Sequence, residues 1–217
     1  MDVAILRVRS TKNRIIMHYG REQTDMITSS NNAKVKQVVQ WQTKAKERRK
    51  DHVFLAEGVR MCEEAPVKSV REVYLTEELE QKLRQNAQNG DTAFWDKLQQ
   101  TGYETVSPEV FAKMADTQTP QGILTVLEQP SYDLTQLLEQ PEPLFLILEN
   151  LQDPGNLGTM IRTGEGAGIT GVIMNSQTVD IFNPKTIRAT MGSVFRVPFV
   201  YVPDLAPVLE QMHAKGI

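Results

Sequence analysis

Three strand–helix units follow one another between residues 144 and 214, and this alternation constrains the fold more than any other feature of the sequence. Each unit has a short apolar run typical of a buried strand, followed by a longer stretch with helical spacing. In chain order, the predicted strands are 144–149, 171–175 and 197–202, and the predicted helices are 156–167, 184–192 and 204–214. Because strand–helix–strand connections are right-handed crossovers, the pattern predicts a parallel sheet in an α/β fold.

The rest of the sequence divides into further parts. Residues 26–128 also alternate strand and helix patterns and predict a small α/β domain, which the proline-containing segment 129–143 links to the parallel-sheet domain at 144–217. Residues 1–25 mix basic and apolar residues without a sustained period, so we expect a disordered N-terminal extension. Residues 215–217 have the pattern of a helix cap and the start of another strand, so we expect the chain to be an N-terminal part of a longer domain.

Composition excludes several classes of protein. The net charge of −3 argues against a generic nucleic-acid binder. No apolar run approaches a length of about 18 residues, so we expect no membrane span. The single cysteine, Cys62, excludes an internal disulfide and fits a reducing cytoplasm, where we expect the protein. The three histidines are far apart in the sequence and offer no metal-ligand spacing, so we expect no metal site.

One segment is locally basic despite the acidic balance of the whole chain. Its basic residues share the interval 34–50, in which Glu47 is the one acidic residue. They are Lys34, Lys36, Lys44, Lys46, Arg48, Arg49 and Lys50. Clustered cations neutralise phosphates and release counterions, so this segment is the predicted nucleic-acid surface.

A glycine-rich string at 166–171 matches the GxGxxG pattern of dinucleotide-binding loops, but its context is reversed. A dinucleotide fingerprint follows a strand and opens a helix, whereas this string closes a helix and precedes a strand. We therefore interpret it as a helix C-cap with close helix–sheet packing.

The turn Asp153-Pro154-Gly155-Asn156 has the context that a ligand site needs, because it follows a buried strand and opens a helix. Pro154 presets φ, Gly155 allows a positive φ, and the Asn156 side chain is suited to cap the helix. A purely structural turn requires no more than this. Arg162, farther along the same helix, either lies in solvent or reaches toward the strand ends to bind a phosphate or a developing negative charge.

Two cations follow a second helix start. Asn183 and Pro184 predict an N-cap and a first-turn proline, and Lys185 and Arg188 then share one face of the helix. Cations near a helix N-terminus oppose its dipole. The pair therefore favours a bound anion such as phosphate, with a solvated face as the alternative.

Together these motifs resemble the SpoU/TrmH family of RNA ribose methyltransferases. Asn156, Gly158, Arg162 and the glycine-rich helix exit are similar to that family's first motif, and residues 183–198 resemble its continuation. The first half of the chain is similar to the family's small, ribosomal-protein-like RNA-binding domain in three segments: 32–50, 54–58 and 119–122.

The resemblance implies a reaction and a set of partners. The methyl donor is S-adenosylmethionine, and the acceptor is a ribose 2′-hydroxyl of structured RNA, usually ribosomal or transfer RNA. The family fold is a homodimer with a trefoil knot. Asn156 and Arg162 match the catalytic positions of the first motif, and Asn175 and Ser176 lie at a strand end expected to line part of the cofactor pocket.

Two parts of the family pattern are missing. The second and third motifs, which supply most of the cofactor pocket and the knot, would lie beyond Ile217. We therefore expect an incomplete knot and weak or no binding of the cofactor by these residues. RNA contacts are expected from the 34–50 cluster together with Lys185 and Arg188. A non-catalytic RNA-binding protein derived from such an enzyme and an unrelated nucleotide-binding enzyme remain the alternatives.

Overall fold

The computed structural model describes residues 25–217, so the predicted N-terminal extension lies almost entirely outside the described residues. Two α/β domains follow one another along the chain. The first contains helices α1 (Ala33–Thr43), α2 (Ala45–Asp51), α3 (Val59–Glu64), α4 (Glu77–Gln88), α5 (Ala93–Thr101) and α6 (Pro108–Met114), and strands β1 (Val53–Glu57), β2 (Val70–Thr76), β3 (Glu104–Val106) and β4 (Ile123–Glu128). The second contains helices α7 (Leu134–Leu138), α8 (Pro154–Gly166), α9 (Pro184–Thr190) and α10 (Ala206–Ala214), and strands β5 (Phe145–Leu148), β6 (Gly171–Asn175) and β7 (Phe199–Val202).

The first domain has a four-stranded sheet with strand order β1-β4-β2-β3. β4 pairs antiparallel with both β1 and β2, and β3 pairs parallel with β2. Helices α1 and α6 pack on one face of the sheet through Val35, Val38 and Phe111, and α3, α4 and α5 pack on the other face. Ile27 adds an isolated parallel bridge to Val106 at the β3 edge.

The second domain confirms the predicted parallel α/β sheet. β6 lies between β5 and β7, and both pairings are parallel. α8 and α9 cover one face through Leu157, Ile161 and Ile187, whereas α7 and α10 cover the other. The carboxyl ends of the strands therefore meet at one edge, where two turns lead into α8 and toward α9.

Helix caps explain where α8 and α9 begin, and one of them corrects the prediction. Asn183 caps α9 as predicted and accepts a hydrogen bond from the backbone N–H two residues later at 2.9 Å. α8, however, begins at Pro154 and is capped by Asp153, which accepts from the Asn156 N–H at 2.7 Å. The prediction that Asn156 caps this helix was wrong, and Gly155 is helical instead of having a positive φ.

The other end of α8 agrees with the prediction. Gly168 has a φ of +76°, and the Ile169 N–H donates to the Gly164 carbonyl at 3.1 Å, which is the long hydrogen bond of a Schellman cap. The glycine-rich string therefore closes a helix, and it does not cradle a dinucleotide.

The two domains share one hydrophobic core. Phe54 and Leu127 of the first sheet belong to the same buried cluster as Phe182 and Val194 of the second domain. The Phe54 and Phe182 ring centroids are 5.0 Å apart. α7, which lies in the predicted linker, packs against β6 and β7. The domains thus form one packed unit, while the boundaries drawn between them stay a prediction.

Candidate active site

Two asparagines lock together the turns that leave β5 and β6. The Asn175 side chain accepts a hydrogen bond from the Asn150 backbone N–H at 3.0 Å, and its Nδ2 donates to Asn150 Oδ1 at 2.7 Å. Thr178 Oγ1 also donates to Asn175 Oδ1, at 2.8 Å. Asn150 has a left-handed conformation with a φ of +54°, which asparagine tolerates better than most residues. This amide clamp fixes the turn from which α8 begins.

The clamp changes the interpretation of the two residues predicted to bind cofactor. Asn175 is 8% exposed, and its side-chain oxygen already accepts two hydrogen bonds. Ser176 Oγ donates to the Val202 carbonyl at 3.0 Å and braces β6 against β7. Both side chains therefore stabilise this edge of the sheet and offer S-adenosylmethionine little beyond one amide N–H and a hydroxyl lone pair. Their cofactor role stays a prediction.

Asn156 and Arg162 are both exposed on α8, but they lie on different faces. Gly155 and Arg162 are seven residues apart, which is about two turns, so they lie on the same side of the helix. A Cβ at Gly155 would lie 3.4 Å from Lys185 Cε, so this side of α8 faces the start of α9. The Arg162 side chain has no hydrogen bond or ion pair with any residue in 25–217. Its guanidinium is therefore free to bind a ligand.

Lys185 and Arg188 each have a carboxylate partner within the protein. Lys185 Nζ lies 3.4 Å from Asp153 Oδ2, and the Arg188 guanidinium lies 2.5 Å from Asp116 Oδ2 of the first domain. The hydrogen bond from the Asn156 N–H, assisted by Lys185, lowers the pKa of Asp153. These ion pairs weaken the argument that the two cations require a phosphate, because each cation already has a carboxylate partner. Arg188 also lies in the last turn of α9, where the helix dipole favours a cation. Their contact with RNA stays a prediction.

Arg48 must be removed from the predicted RNA-binding cluster. Its side chain is 3% exposed, and its guanidinium donates to the Trp41 carbonyl and to Asp180 Oδ2, both at 2.8 Å. A buried guanidinium that crosses the domain interface has no access to RNA phosphates. The charge pattern contains no sign of this partner, because Asp180 is 132 residues away in the sequence.

Most of the remaining cluster is available to solvent. Five of its members are exposed: Lys36, Lys44, Lys46, Arg49 and Lys50. Lys46, Arg49 and Lys50 share one face of α2, because they are three and four residues apart. Lys34 is also exposed, but its Nζ lies 2.6 Å from Glu104 Oε1. RNA binding by this surface stays a prediction, and the exposed residues of α2 are its best candidates.

Tyr201 supports the same edge of the sheet, although no motif singles it out. Its hydroxyl donates to the Val179 carbonyl at 2.7 Å and accepts from the Ile181 N–H at 2.9 Å. Burial raises the pKa of this phenol. The loop between β6 and α9 is therefore held from β7. From the strand pattern alone, Tyr201 would be interpreted as a packing residue. Only the hydrogen bonds in the structure show that it holds the loop.

Several further functions lack a structural basis in the described part of the chain. Within residues 25–217, no group of three or more His, Cys, Asp or Glu side chains is placed to hold a metal ion. The helices of this interval are too short or too polar to cross a membrane. Cys62 is buried, and burial raises the pKa of its thiol to about 12, so it is a core residue and not a nucleophile.

Two family models match the chain, one in each domain. Residues 32–125 match an MRM3-like substrate binding domain, and residues 143–217 match the SpoU rRNA Methylase family. The 23S rRNA (guanosine(2553)-2′-O)-methyltransferase RlmP of Bacillus subtilis is 34% identical over 194 residues, which cover 88% of this chain and 70% of that protein. The chain belongs to the SpoU rRNA methylase family. Asp153, Asn156 and Arg162 all lie inside the matched segment of this methylase.

Other similarities agree with this assignment. The mitochondrial rRNA methyltransferase 3 of Homo sapiens is 41% identical over 110 residues, which cover 48% of this chain and 26% of that protein. The crystal structure of an AdoMet-bound rRNA methyltransferase from Sinorhizobium meliloti matches with a TM-score of 0.72 at 27% identity, covering 89% of this chain and 69% of that chain. The family and the fold predicted from the motifs are confirmed, whereas the roles of individual residues stay predictions.

Proposed function

We propose that this SpoU methylase transfers a methyl group from S-adenosylmethionine to a ribose 2′-hydroxyl of ribosomal RNA. The observation that carries the proposal is the similarity to RlmP. The aligned region covers 88% of this chain and therefore includes both domains. The AdoMet-bound structural neighbour supports the same methyl donor. The substrate-binding match of the first domain supports RNA recognition there.

Arg162 is the residue that we propose acts on the reacting hydroxyl. A ribose 2′-hydroxyl is a poor nucleophile until its proton leaves or its developing negative charge is stabilised. A guanidinium holds its proton at neutral pH and is no base, so Arg162 binds the adjacent phosphate and stabilises the developing alkoxide. Its exposure and its lack of a partner within residues 25–217 support this role. When bound, S-adenosylmethionine would supply the electrophilic methyl group and leave as S-adenosylhomocysteine, and the hydroxyl proton would pass to water.

Asn156 is proposed to orient the ribose. Its backbone N–H is held by Asp153, so its exposed side-chain amide is presented from the first turn of α8. The clamp between Asn150 and Asn175 fixes the preceding turn and therefore limits how far this amide can move. We also propose that the protein acts as a homodimer in the cytoplasm, as the family resemblance implies.

The test is methyl transfer from tritiated S-adenosylmethionine to ribosomal RNA by the complete enzyme, with the modified hydroxyl located by its resistance to alkaline hydrolysis. We expect Arg162→Lys to lower kcat by about 10²-fold or more, because a lysine loses the planar fork of donors. Arg84→Lys on α4 is the matched control and is expected to behave as wild type. If kcat were unchanged in Arg162→Lys, the proposed role of Arg162 in methyl transfer would be wrong. RNA binding by the wild-type protein without methyl transfer would support the non-catalytic alternative.

A further inference from the structure

A groove lies between α1 and α6, on the face of the first sheet opposite to α3, α4 and α5. Its volume is about 480 Å³. Sites that hold small molecules typically measure about 300–1,000 Å³. Its lining residues are Ser30, Val35, Lys36, Val39, Gln40 and Lys113. The groove therefore has the size of a ligand site, and it is separate from the residues of α8 and α9 described above.

The groove has an apolar floor and a basic rim. Val35 is buried and Val39 is half-buried, whereas Lys36 and Lys113 are exposed and come from different helices. Lys113 Nζ donates to Ser30 Oγ at 3.1 Å, which orients the ammonium group without neutralising its charge. None of the lining residues is acidic. These properties fit an anion that carries a flat, weakly polar part.

A short series of contacts connects the groove to the candidate active site. Lys113 lies near the end of α6, and Asp116, three residues later, accepts a hydrogen bond from the guanidinium of Arg188 on α9. Lys185, one turn before Arg188, contacts the carboxylate that caps α8. The segment after α6 is therefore joined by an ion pair to α9, which packs beside α8.

We propose that this groove binds one unpaired nucleotide of the RNA substrate, with its base or ribose against the half-buried Val39 and the flanking phosphates at Lys36 and Lys113. The proposal rests on the proposed function for the identity of the substrate as RNA. It adds Ser30 and Lys113, which lie outside the basic segment, to the recognition surface. Single-strand binding sites combine a cationic groove with aromatic side chains on which bases stack, and in this groove an aliphatic surface takes the place of the aromatic one. A paired and stacked base cannot reach the floor, so the groove selects unpaired RNA.

The test is the fluorescence anisotropy of a labelled single-stranded RNA of about twelve nucleotides, a length within the known site sizes of single-strand binders. We expect Lys36→Glu combined with Lys113→Glu to weaken binding by about tenfold or more and to lower the salt slope by about one per lysine. Lys82→Glu is an exposed charge reversal on α4, at the opposite face of the sheet, and is the matched control. We expect this control to bind as wild type.

If the double variant and the Lys82→Glu control bound the RNA with equal affinity, the proposal that the groove binds RNA would be wrong. That result would leave the proposed function standing, because methyl transfer to ribosomal RNA is measured separately. Photo-crosslinking of the same RNA carrying 4-thiouridine provides a second readout. We expect crosslinked peptides that contain Val39 or Lys113, and crosslinks confined to α2 would also contradict the proposal.

Discussion

Arg48 of α2 and Asp180 of the loop before α9 form an ion pair of 2.8 Å between the two domains. The same guanidinium donates to the Trp41 carbonyl, and Asp180 Oδ1 accepts from the Phe182 N–H at 3.0 Å. Asp180 also lies between the two residues that hydrogen-bond the Tyr201 hydroxyl. The pair therefore anchors the first domain to the loop that leads into α9, in addition to the apolar core that the domains share.

Replacing Arg48 is expected to destabilise the protein strongly. Arg48→Met keeps an apolar stem but leaves Asp180 without its cation, and breaking one partner of a buried pair costs about 3–5 kcal/mol. Because the Asp180 side chain is 25% exposed, water offsets part of this cost. We therefore expect a loss of about 3 kcal/mol in the free energy of unfolding, measured in urea. Arg49→Met, its exposed neighbour, is expected to change stability by less than about 0.5 kcal/mol. Equal losses would contradict a structural role for Arg48.

Local signals made the elements of the second domain predictable. Asn183 followed by Pro184 marks the start of α9, and Gly168 marks the end of α8, because each signal acts within one turn of the helix. The start of α8 was harder to predict, since Asp153 and Asn156 both cap helices well. Pro at the first helical position favours the aspartate, and the structure follows that preference.

Contacts between distant residues could not be predicted in the same way. Arg48 lies among exposed cations in the sequence, and only the docking of the second domain makes its position an interior one. The pairing of Arg188 with Asp116 depends on the same docking. Charge spacing reports which residues share a helix face, but it does not report which face another domain covers. The proposed active-site pair on α8, Asn156 and Arg162, was singled out by motif, whereas the clamp that supports the preceding turn was not.

Gly158 allows α8 to approach α9 closely. A Cβ at this position would lie 2.5 Å from Ala189 Cβ and 2.6 Å from the Thr186 carbonyl oxygen. Gly158→Ala is therefore expected to lower the free energy of unfolding by about 1–3 kcal/mol, although alanine favours a helix by about 1 kcal/mol. Gly166→Ala, in the last turn of the same helix, has no atom within 4 Å of the new Cβ and is expected to be neutral or slightly stabilising. If both variants were equally stable, the helices would not be as close as described.

Arg196 contacts one carboxylate in each domain, and its bond to Glu64 joins the two domains. Its guanidinium donates to Glu64 Oε2 at 2.8 Å and to both carboxylate oxygens of Glu165 on α8. These hydrogen bonds, with a further one from Arg60 to Glu64, lower the pKa of both carboxyls. A lowered pKa means that the unfolded chain binds protons first as the pH falls. The stabilisation is therefore complete above the ordinary glutamate pKa of about 4.3 and is lost as the pH falls through the lowered values.

Glu64→Gln is accordingly expected to lose less stability than the wild-type protein as the pH falls. Between about pH 5 and pH 3, the midpoint of thermal unfolding should fall less steeply in this variant than in the wild-type protein. Glu63→Gln removes the same charge from the same helix but lies outside the network of Arg196, so it serves as the control and should keep the wild-type slope. If Glu64→Gln kept the wild-type dependence of its unfolding midpoint on pH, the Arg196 network would not be the cause of the acid sensitivity.

The clamp at the strand ends is expected to depend on both of its asparagines. Asn175→Ala removes the acceptor of the Asn150 N–H and of Thr178 Oγ1 in a buried setting, which is expected to cost about 1–3 kcal/mol in urea unfolding. Gln177→Ala, an exposed amide two residues away, is the control and is expected to cost less than about 0.5 kcal/mol.

Substitutions of Asn150 separate the backbone contribution of the clamp from its hydrogen bonds. Asn150→Gly loses the side-chain bond to Asn175 but keeps access to a φ of +54°. Asn150→Ala loses the same bond and must also hold a left-handed conformation, which costs about 1–2 kcal/mol more. We expect the alanine variant to unfold at lower urea concentration than the glycine variant. The reverse order would mean that the turn after β5 does not require the left-handed conformation, and the placement of Asn156 by this turn would then have to be abandoned.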